Sequence, residues 1–175
     1  MKFFGFDPKY IRGHPHGLRW TLRSILTQKI FGIGNRNADF PVSPYCHVIT
    51  PEAIEFDPSD LHNFQVFGTY YLARPNGGNI KIGKGTWIGP GVGLITQNHD
   101  LYNLDKVKAP KPIIIGEKCW IGMNSVIMPG VILGNHTVVG ALSIVTHSFP
   151  EGNCLIAGNP ARKIRDLVDL DYEKN

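Results

Sequence analysis

The sequence repeats itself every six residues between Ile115 and Pro150. Each block opens with an aliphatic residue, often has Gly in second place, and has a small or apolar residue in fifth place. The blocks are IGEKCW, IGMNSV, IMPGVI, LGNHTV, VGALSI and VTHSFP. The same pattern runs through IGKGTW, IGPGVG and LITQNH, which extend from Ile82 to His99. A short fixed period predicts one structural unit that stacks on copies of itself.

Each hexad is typical of a short strand followed by a corner. The first and fifth residues point inward, and Gly in second place leaves room at the corner. Three hexads then form one coil of a triangular prism, with successive coils about 4.8 Å apart. The period therefore predicts an all-β parallel β-helix, in which Ile115 stacks near Leu133 and Ile121 near Val139. The period alone does not fix the hand of the coil.

An interruption in the repeat indicates where function is carried. Counting in sixes from Leu94 reaches Asp100, but the next coil opens at Ile115, so we expect an extruded loop of about fifteen residues at 100–114. The loop is polar and contains Pro, and long loops on rigid scaffolds often carry function. His99 lies at its root, and a neutral imidazole there is suited to accept a proton from a hydroxyl.

The chain divides into three parts. We assign an N-terminal segment to residues 1–39, a β-helix domain to 40–161 and a C-terminal tail to 162–175, which is expected to contain a short helix. Residues 40–72 look like a degraded first coil, as terminal repeats are usually atypical.

The spacing of apolar residues over 18–31 predicts a helix. Leu18, Leu22, Ile25 and Leu26 form one apolar stripe, and the basic residues lie off it. This helix either caps the open end of the prism, which otherwise exposes unpaired strand edges, or rests as a basic amphipathic helix on a membrane surface.

Composition narrows the function classes. A chain of 175 residues with 42% hydrophobic residues suits one soluble domain. The net charge of +4 suits small anionic ligands and is too weak to favour nucleic acid. No stretch approaches the ~20 apolar residues of a membrane span, and the first ten residues lack the apolar run of a signal peptide, so we expect a cytoplasmic protein. The widely spaced Cys46, Cys119 and Cys154 fit a reducing compartment.

Several segments together resemble the left-handed parallel β-helix acyltransferases of the hexapeptide-repeat class. They cover about residues 80–165 and are Asn98–Asp100, Lys111–Gly116, Trp120–Gly122, Pro129–Val131 and Gly158–Arg162. Within that class the sequence looks most like sugar and polysaccharide O-acetyltransferases. The resemblance implies a homotrimer with active sites between neighbouring prisms, acetyl-CoA as co-substrate and no metal. It also implies a sugar or surface-polysaccharide precursor as the acceptor, and hence a role in polysaccharide biosynthesis.

The resemblance assigns catalytic roles to this chain. His99 matches the general base, and the backbone N–H of Met123 matches the position that stabilises the oxyanion. Asp100 or Asp105 could hold the second ring nitrogen of His99, and a backbone carbonyl could do the same.

The resemblance also implies a set of coenzyme-binding residues. Trp120 is expected to line the channel of the pantetheine arm, and Ala141 and Thr146 to bind its amides. Arg162 and Arg165 match basic residues near the coenzyme phosphates. The family often has Lys where this chain has His147, and His147 is kept in the coenzyme site.

Other functions fit parts of the pattern. The same site could acetylate the nitrogen of an amino sugar, or a xenobiotic such as an antibiotic. His136 and His147 raise the alternative of a metal hydratase of the γ-class carbonic anhydrase type, but that site needs closely spaced imidazoles and these two are eleven positions apart. A scaffold that only trimerises would need neither His99 nor the loop.

Overall fold

The structure, a computed structural model, describes residues 2–33 and 36–167. From His47 onward the chain coils around one axis and builds three faces of short strands, visiting the first, second and third face in turn. The strands of neighbouring coils are parallel, and the fold is the left-handed parallel β-helix that the resemblance implied.

In the described ranges the strands are, in chain order, β1 (His47–Ile49), β2 (Ile54–Phe56), β3 (Tyr70–Leu72), β4 (Ile80–Ile82), β5 (Trp87–Ile88), β6 (Gly93–Ile95), β7 (Ile113–Ile115), β8 (Trp120–Ile121), β9 (Val126–Ile127), β10 (Ile132–Leu133), β11 (Thr137–Val139), β12 (Ile144–Val145), β13 (Cys154–Gly158) and β14 (Ala161–Asp166). The first face contains β1, β3, β6, β9 and β12, the second β2, β4, β7 and β10, and the third β5, β8, β11, β13 and β14. Each corner of the prism is named below by the two faces that it joins.

The predicted stacking is confirmed. Residues eighteen positions apart pair along each face, namely Ile115 with Leu133, Ile121 with Val139, and Ile127 with Val145. These inward aliphatic side chains are almost completely buried. Residues 40–72 also join the stack, since β1 pairs with β3 and β2 pairs with β4.

The extruded loop lies between β6 and β7. Ile82 pairs with Ile115, thirty-three positions away instead of eighteen, so fifteen extra residues are inserted as predicted. The end of the loop was wrong by two residues, because Ile113 and Ile114 belong to β7. Ile113 is fully buried and pairs with Ile80. Its burial among the stacked aliphatic side chains extends the strand by two residues before the position that the six-residue count gives.

The fifth positions of the hexads are small and buried, as expected. They include Thr86, Cys119, Ser125, Thr137 and Ser143. Their polar groups satisfy corner carbonyls, as when the Thr137 hydroxyl donates to Gly134 O at 2.7 Å and the Ser143 hydroxyl to Gly140 O at 2.6 Å. All three cysteines are buried free thiols.

Glycine in second place is required by the close approach of the next coil. A Cβ on Gly134 would lie 2.3 Å from the carbonyl oxygen of Pro150. No side chain fits at that distance, so the backbone of one coil would have to move away from the next.

The N-terminal segment forms two helices and a π-helical stretch. They are α1 (Pro8–Arg12), α2 (Gly17–Ser24) and the π-helix at Ile25–Ile30. The predicted helix at 18–31 is thus confirmed as far as Ile30. Tyr10 of α1 stacks on Phe56 of the first coil, with ring centroids 5.1 Å apart, so the segment packs on the β-helix domain.

The inward face of α2 and of the π-helix that follows it is polar. Thr21, Ser24 and Gln28 are completely buried, and the Gln28 amide bonds to Phe40 O at 3.2 Å and accepts from Val42 N at 2.9 Å. Short 3-10 helices at Pro51–Ala53 and Pro58–Phe64 complete the elements before β3. None of the helices in the described ranges is long and apolar enough to cross a membrane.

The prediction of a C-terminal helix is wrong for the part of the tail that the structure describes. Ala161–Asp166 form β14, which runs antiparallel to β13 and pairs Gly158 with Ala161 and Cys154 with Asp166. The last coil leaves an open strand edge, and pairing with that edge outweighs the helical preference of the tail. The rest of the tail, from residue 168, lies outside the described residues.

Candidate active site

His99 is fixed at the base of the extruded loop. It follows β6 and forms an isolated antiparallel bridge with Val107. Asp100 N donates to Lys106 O at 2.9 Å, and Lys108 N donates to Asn98 O at 2.9 Å. The loop therefore leaves the prism as a two-stranded ribbon at the first–second corner, and the imidazole is exposed there.

One hydrogen bond determines which nitrogen of His99 can act as a base. Nδ1 lies 2.7 Å from Leu104 O. A carbonyl oxygen can only accept, so Nδ1 carries the proton of the neutral ring. The lone pair is then on Nε2, which is the arrangement needed to take a proton from a substrate hydroxyl.

Neither aspartate holds the ring of His99, which corrects the expectation for Asp100 and Asp105. The Asp100 carboxylate closes the loop turn instead, accepting from Tyr102 N at 2.9 Å and Asn103 N at 3.0 Å. These two donors lower the pKa of the exposed Asp100 carboxyl. Asp105 is exposed in the same turn, and the position on Nδ1 is filled by the backbone carbonyl that was the third alternative.

A cavity of about 270 Å³ lies between the loop and the coils beside it. Its lining residues are Asn98, Lys108, Ala109, Lys111, Met128, Pro129 and Thr146. Thr146, which was predicted to contact the coenzyme, is thus close to the root of the loop. His147 is next to it, with Nδ1 2.8 Å from the Thr146 hydroxyl.

Sequence reasoning missed Lys108 and Lys111. Both lie in the polar loop, and Lys111 N anchors its end by donating to Thr96 O at 2.8 Å. Two cations beside a cavity favour an anionic ligand. The signal available in the sequence was their position, five and two residues before β7 respectively.

Trp120 projects from the third face, where 58% of it is exposed. It pairs in register with Trp87 on one side and Val138 on the other. A cavity of about 570 Å³ extends over this row and is also lined by Gly85, Lys118 and Cys119. The exposed indole leaves room for a ligand arm over this row.

Met123 and Ala141 occupy the third–first corner, one coil apart. Met123 O accepts from Leu142 N at 2.9 Å, whereas Met123 N has no acceptor within residues 2–33 and 36–167. That N–H is consequently available to an outside oxygen. Ala141 is exposed at the same corner.

The residues predicted for catalysis and for coenzyme binding lie at two different corners of one chain. His99, Thr146 and His147 are at the first–second corner, whereas Met123 and Ala141 are at the third–first corner. The whole first face separates the two groups, so a single copy does not bring the base and the oxyanion donor together.

Arg162 and Arg165 lie on β14 at the end of the third face. Arg165 is opposite Leu155, which pairs with Val138 and thereby continues the row from Trp120. Three strand spacings place Arg165 about 14 Å from Trp120. Arg162 donates to Ala161 O at 3.0 Å and is exposed, and Lys163 forms an ion pair with Asp166.

A further cavity, of about 520 Å³, was not predicted from the sequence. It is lined by His14, Pro15, His16, Trp20, Ser59, Asp60, His62 and Trp87. His62 lies against Trp87, with ring centroids 4.1 Å apart, and burial lowers its pKa. Trp87 also borders the cavity over Trp120, so the two cavities adjoin. The residues come from three distant segments, and no spacing in the sequence indicates that they meet.

The histidines of the metal alternative are apart from each other. His136 lies at the second–third corner with Nδ1 3.2 Å from Asn153 Oδ1, whereas His147 lies at the first–second corner. In the part of the chain that the structure describes, no group of three or more His, Cys, Asp or Glu side chains could hold a metal ion.

Comparisons with known proteins agree with this fold. Residues 112–147 match the family described as bacterial transferase hexapeptide (six repeats). The chain is 30% identical over 181 residues to the galactoside O-acetyltransferase of Escherichia coli K12, covering 95% of this chain and 83% of that protein. The solved galactoside acetyltransferase in complex with coenzyme A has a TM-score of 0.55 and 27% identity, covering 94% and 78% of the two chains. The chain therefore belongs to the bacterial transferase hexapeptide family.

The similarity to another relative covers a shorter stretch of the chain. An Escherichia coli K12 protein named for acetyl transfer in colanic acid biosynthesis is 40% identical over 94 residues, 54% of this chain. The chain spans about half the length of this and of several other relatives that it matches.

Proposed function

We propose that this protein transfers an acetyl group from acetyl-CoA to a hydroxyl group of a sugar. The observation that carries the proposal is the state of His99, whose Nδ1 is held by Leu104 O at 2.7 Å while Nε2 is left to act as a base. The relatives support acetyl transfer to sugars and polysaccharides, since one is named a galactoside O-acetyltransferase and another is named for colanic acid biosynthesis.

Two groups of the protein, the His99 imidazole and the Met123 N–H, would carry out the acetyl transfer. Nε2 of His99 takes the proton from the acceptor hydroxyl as its oxygen attacks the thioester carbonyl. The Met123 N–H donates to the oxyanion of the tetrahedral intermediate. The carbon–sulfur bond then breaks, and the leaving thiolate takes the proton back from His99. The products are the acetyl ester and CoA, with no covalent enzyme intermediate.

We propose that the active site is completed by a second copy in a homotrimer. The separation of His99 and Met123 at two corners supports this, because a neighbouring prism can bring its third–first corner against the first–second corner of this one. The extruded loop protrudes at that corner and would lie over the neighbour. Three identical sites then result from cyclic symmetry.

The coenzyme is proposed to lie along the third face. Trp120 would support the pantetheine arm, and Ala141 of the same copy and Thr146 of its neighbour would bind the amides. Arg165, about 14 Å further along the row, and Arg162 would meet the phosphates. Lys108 and Lys111, which line the cavity beside the loop, would add positive charge to this groove from the neighbour.

The acceptor is proposed to be a sugar unit of a surface-polysaccharide precursor in the cytoplasm, where acetyl-CoA is available. The cavity between Trp20 and Trp87 supports a sugar, since indole rings stack on pyranose rings while imidazole and carboxylate groups bind hydroxyls.

The test is a transfer assay with acetyl-CoA and a panel of free sugars, nucleotide sugars and amino sugars. We expect thiol release that depends on a sugar hydroxyl, with mass spectrometry showing one added acetyl ester that is lost in mild base. An amide product on an amino sugar would instead show that the protein acetylates a nitrogen. Absence of transfer to every member of the panel, with acetyl-CoA shown to bind, would reject sugar acetylation.

A further inference from the structure

The apolar stripe of the N-terminal helix faces outward. Leu18, Leu22, Leu26 and Ile30, called here the outer stripe, lie on successive turns and are 55%, 55%, 52% and 59% exposed. Phe31 continues the stripe with 65% of its surface exposed. A surface helix normally buries its apolar stripe against the core, so this helix has the opposite orientation.

The outward orientation is fixed by hydrogen bonds. Ser24 Oγ donates to Val42 O at 3.4 Å, and the Gln28 amide bonds to Ala38, Phe40 and Val42. Rotating the helix to bury its leucines would leave these buried polar groups unpaired, which costs free energy. The outer stripe is therefore a stable surface of this fold.

The apolar surface extends beyond the helix. Phe3, Pro8, Ile11, Arg12 and Leu18 line a groove of about 330 Å³ that joins the start of the chain to the outer stripe. Phe3 and Phe4 are 42% and 66% exposed. A continuous apolar surface of this kind on a folded protein usually binds a partner or a membrane.

The distribution of Lys and Arg residues along the chain favours an anionic partner for this surface. Residues 2–33 contain six Lys and Arg and one Asp, whereas residues 34–175 contain twelve and thirteen Asp and Glu. The segment that carries the outer stripe thus holds the net positive charge of the chain, although Lys2 pairs with Asp39 and Lys9 with Asp7. Arg12 and Arg19 are exposed beside it. Exposed leucines bordered by cations match the interface of an anionic bilayer, where apolar side chains enter the acyl region and cations meet phosphates.

We propose that the outer stripe docks the protein on a bilayer that contains anionic phospholipid, with α2 lying in the plane of the interface. The contact uses none of the residues proposed for catalysis or coenzyme binding, and it can be measured without an acetyl acceptor. It would hold the protein at the surface on which a lipid-linked substrate is found.

The proposal is tested by co-sedimentation of the full chain with two kinds of vesicle. One kind contains phosphatidylcholine alone and the other a mixture of phosphatidylcholine and phosphatidylglycerol. We expect the protein to bind the mixed vesicles, to bind phosphatidylcholine weakly, and to be released by salt, which screens the basic contribution. Protein that stays in the supernatant with both kinds of vesicle would overturn the proposal.

Matched variants identify the surface. Leu18→Ser, Leu22→Ser and Leu26→Ser together should weaken binding at least ~10-fold. The control is Tyr45→Ser, Phe67→Ser and Ile164→Ser, at positions at least as exposed, which should not weaken it. Arg12→Gln with Arg19→Gln should reduce the preference for phosphatidylglycerol, and Lys81→Gln with Lys84→Gln should leave it unchanged. Circular dichroism and acetyl transfer to a soluble acceptor report that each variant is folded.

Two results would reject bilayer docking even if the wild type binds. One is binding of the triple leucine variant with the wild-type affinity. The other is a lower mass of that variant than of the wild type in light scattering, which would show that the outer stripe packs against a second copy of this chain.

Discussion

At the scale of single residues, a backbone carbonyl fixes the ring of His99, the base that we propose. Leu104 O accepts from Nδ1 at 2.7 Å, and Leu104 is placed by a turn that the Asp100 carboxylate closes. The loop thus does for this histidine what a carboxylate does in a catalytic triad. A carbonyl fixes the tautomer without adding a negative charge beside the ring.

Replacing the base should abolish most of the turnover. We expect His99→Ala to lower kcat ~10²–10⁴-fold while the KM for acetyl-CoA changes little, because the imidazole acts on the acceptor proton. Steady-state kinetics measures both. His136→Asn is the control, since it removes a half-buried corner histidine with positive φ, a conformation that Asn tolerates. Near-normal kcat in folded His99→Ala would remove His99 from the mechanism.

The Met123 backbone can be tested with proline. Gly89-Pro90-Gly91 is the same corner one coil earlier, since Ile88 pairs with Ile121. Proline therefore fits this position, and Met123→Pro deletes the N–H while keeping the corner. We expect kcat to fall ~10²–10³-fold, as for loss of an oxyanion donor. Met123→Leu keeps the N–H and should remain active. Equal activity of the Pro and Leu variants would exclude an oxyanion role.

At the scale of the hexad, glycine is required where coils approach and is dispensable where they do not. A Cβ on Gly134 would meet Pro150 O at 2.3 Å, whereas a Cβ on Gly93 would have its nearest neighbour, in the Val126 side chain, at 3.7 Å, an ordinary contact. Gly134 is a corner residue in second place, and Gly93 opens the strand β6. The repeat therefore reflects steric limits at corners.

This difference predicts unequal stabilities. Gly134→Ala should lower the free energy of unfolding by about 1–3 kcal/mol, because the coils must separate to admit the methyl group. Gly93→Ala should have little effect. Thermal unfolding followed by circular dichroism compares the two variants at equal protein concentration. Similar losses in both would mean that the spacing of the coils adjusts freely.

The helix α2 illustrates how an element can be predicted while its contacts are not. The apolar period at residues 18–31 indicated the helix, and it is present. The period did not tell which side packs on the domain, because Gln28 finds three backbone partners only in the segment at 38–42. Those partners are set by the path of the chain between the helix and β1.

At the scale of the whole molecule, the separation of His99 from Met123 gives a test of the shared site. His99→Ala and Met123→Pro are each expected to be inactive alone. When they are co-expressed, a mixed trimer contains interfaces with an intact His99 from one copy and an intact Met123 from the other. Random assembly makes about one site in four complete, so about a quarter of wild-type activity should return.

The assembly itself is measured by light scattering, where the expected mass is three times the 19.4 kDa of one chain. Absence of recovered activity in trimers shown to contain both variants would place the site within one copy. In a trimer with cyclic symmetry the three outer stripes also lie at the same end, so they can meet one membrane together.

The sequence by itself determined the fold, because a coil of three hexads depends on local spacing. The period placed each inward aliphatic, and the break in the period located the loop and the candidate base His99 at its root. Each of these depends on residues that are close in the chain or related by a fixed count.

The tertiary structure decided what depends on groups distant in the chain. Leu104 O rather than Asp100 or Asp105 holds His99, because the loop turn consumes the Asp100 carboxylate. The tail forms β14 because the last coil offers an open edge. The leucines of α2 face outward because buried amide bonds fix the opposite side. In each case hydrogen bonds to a backbone group from another part of the chain outweigh what the local sequence favours. No spacing in the sequence tells where that backbone group will lie.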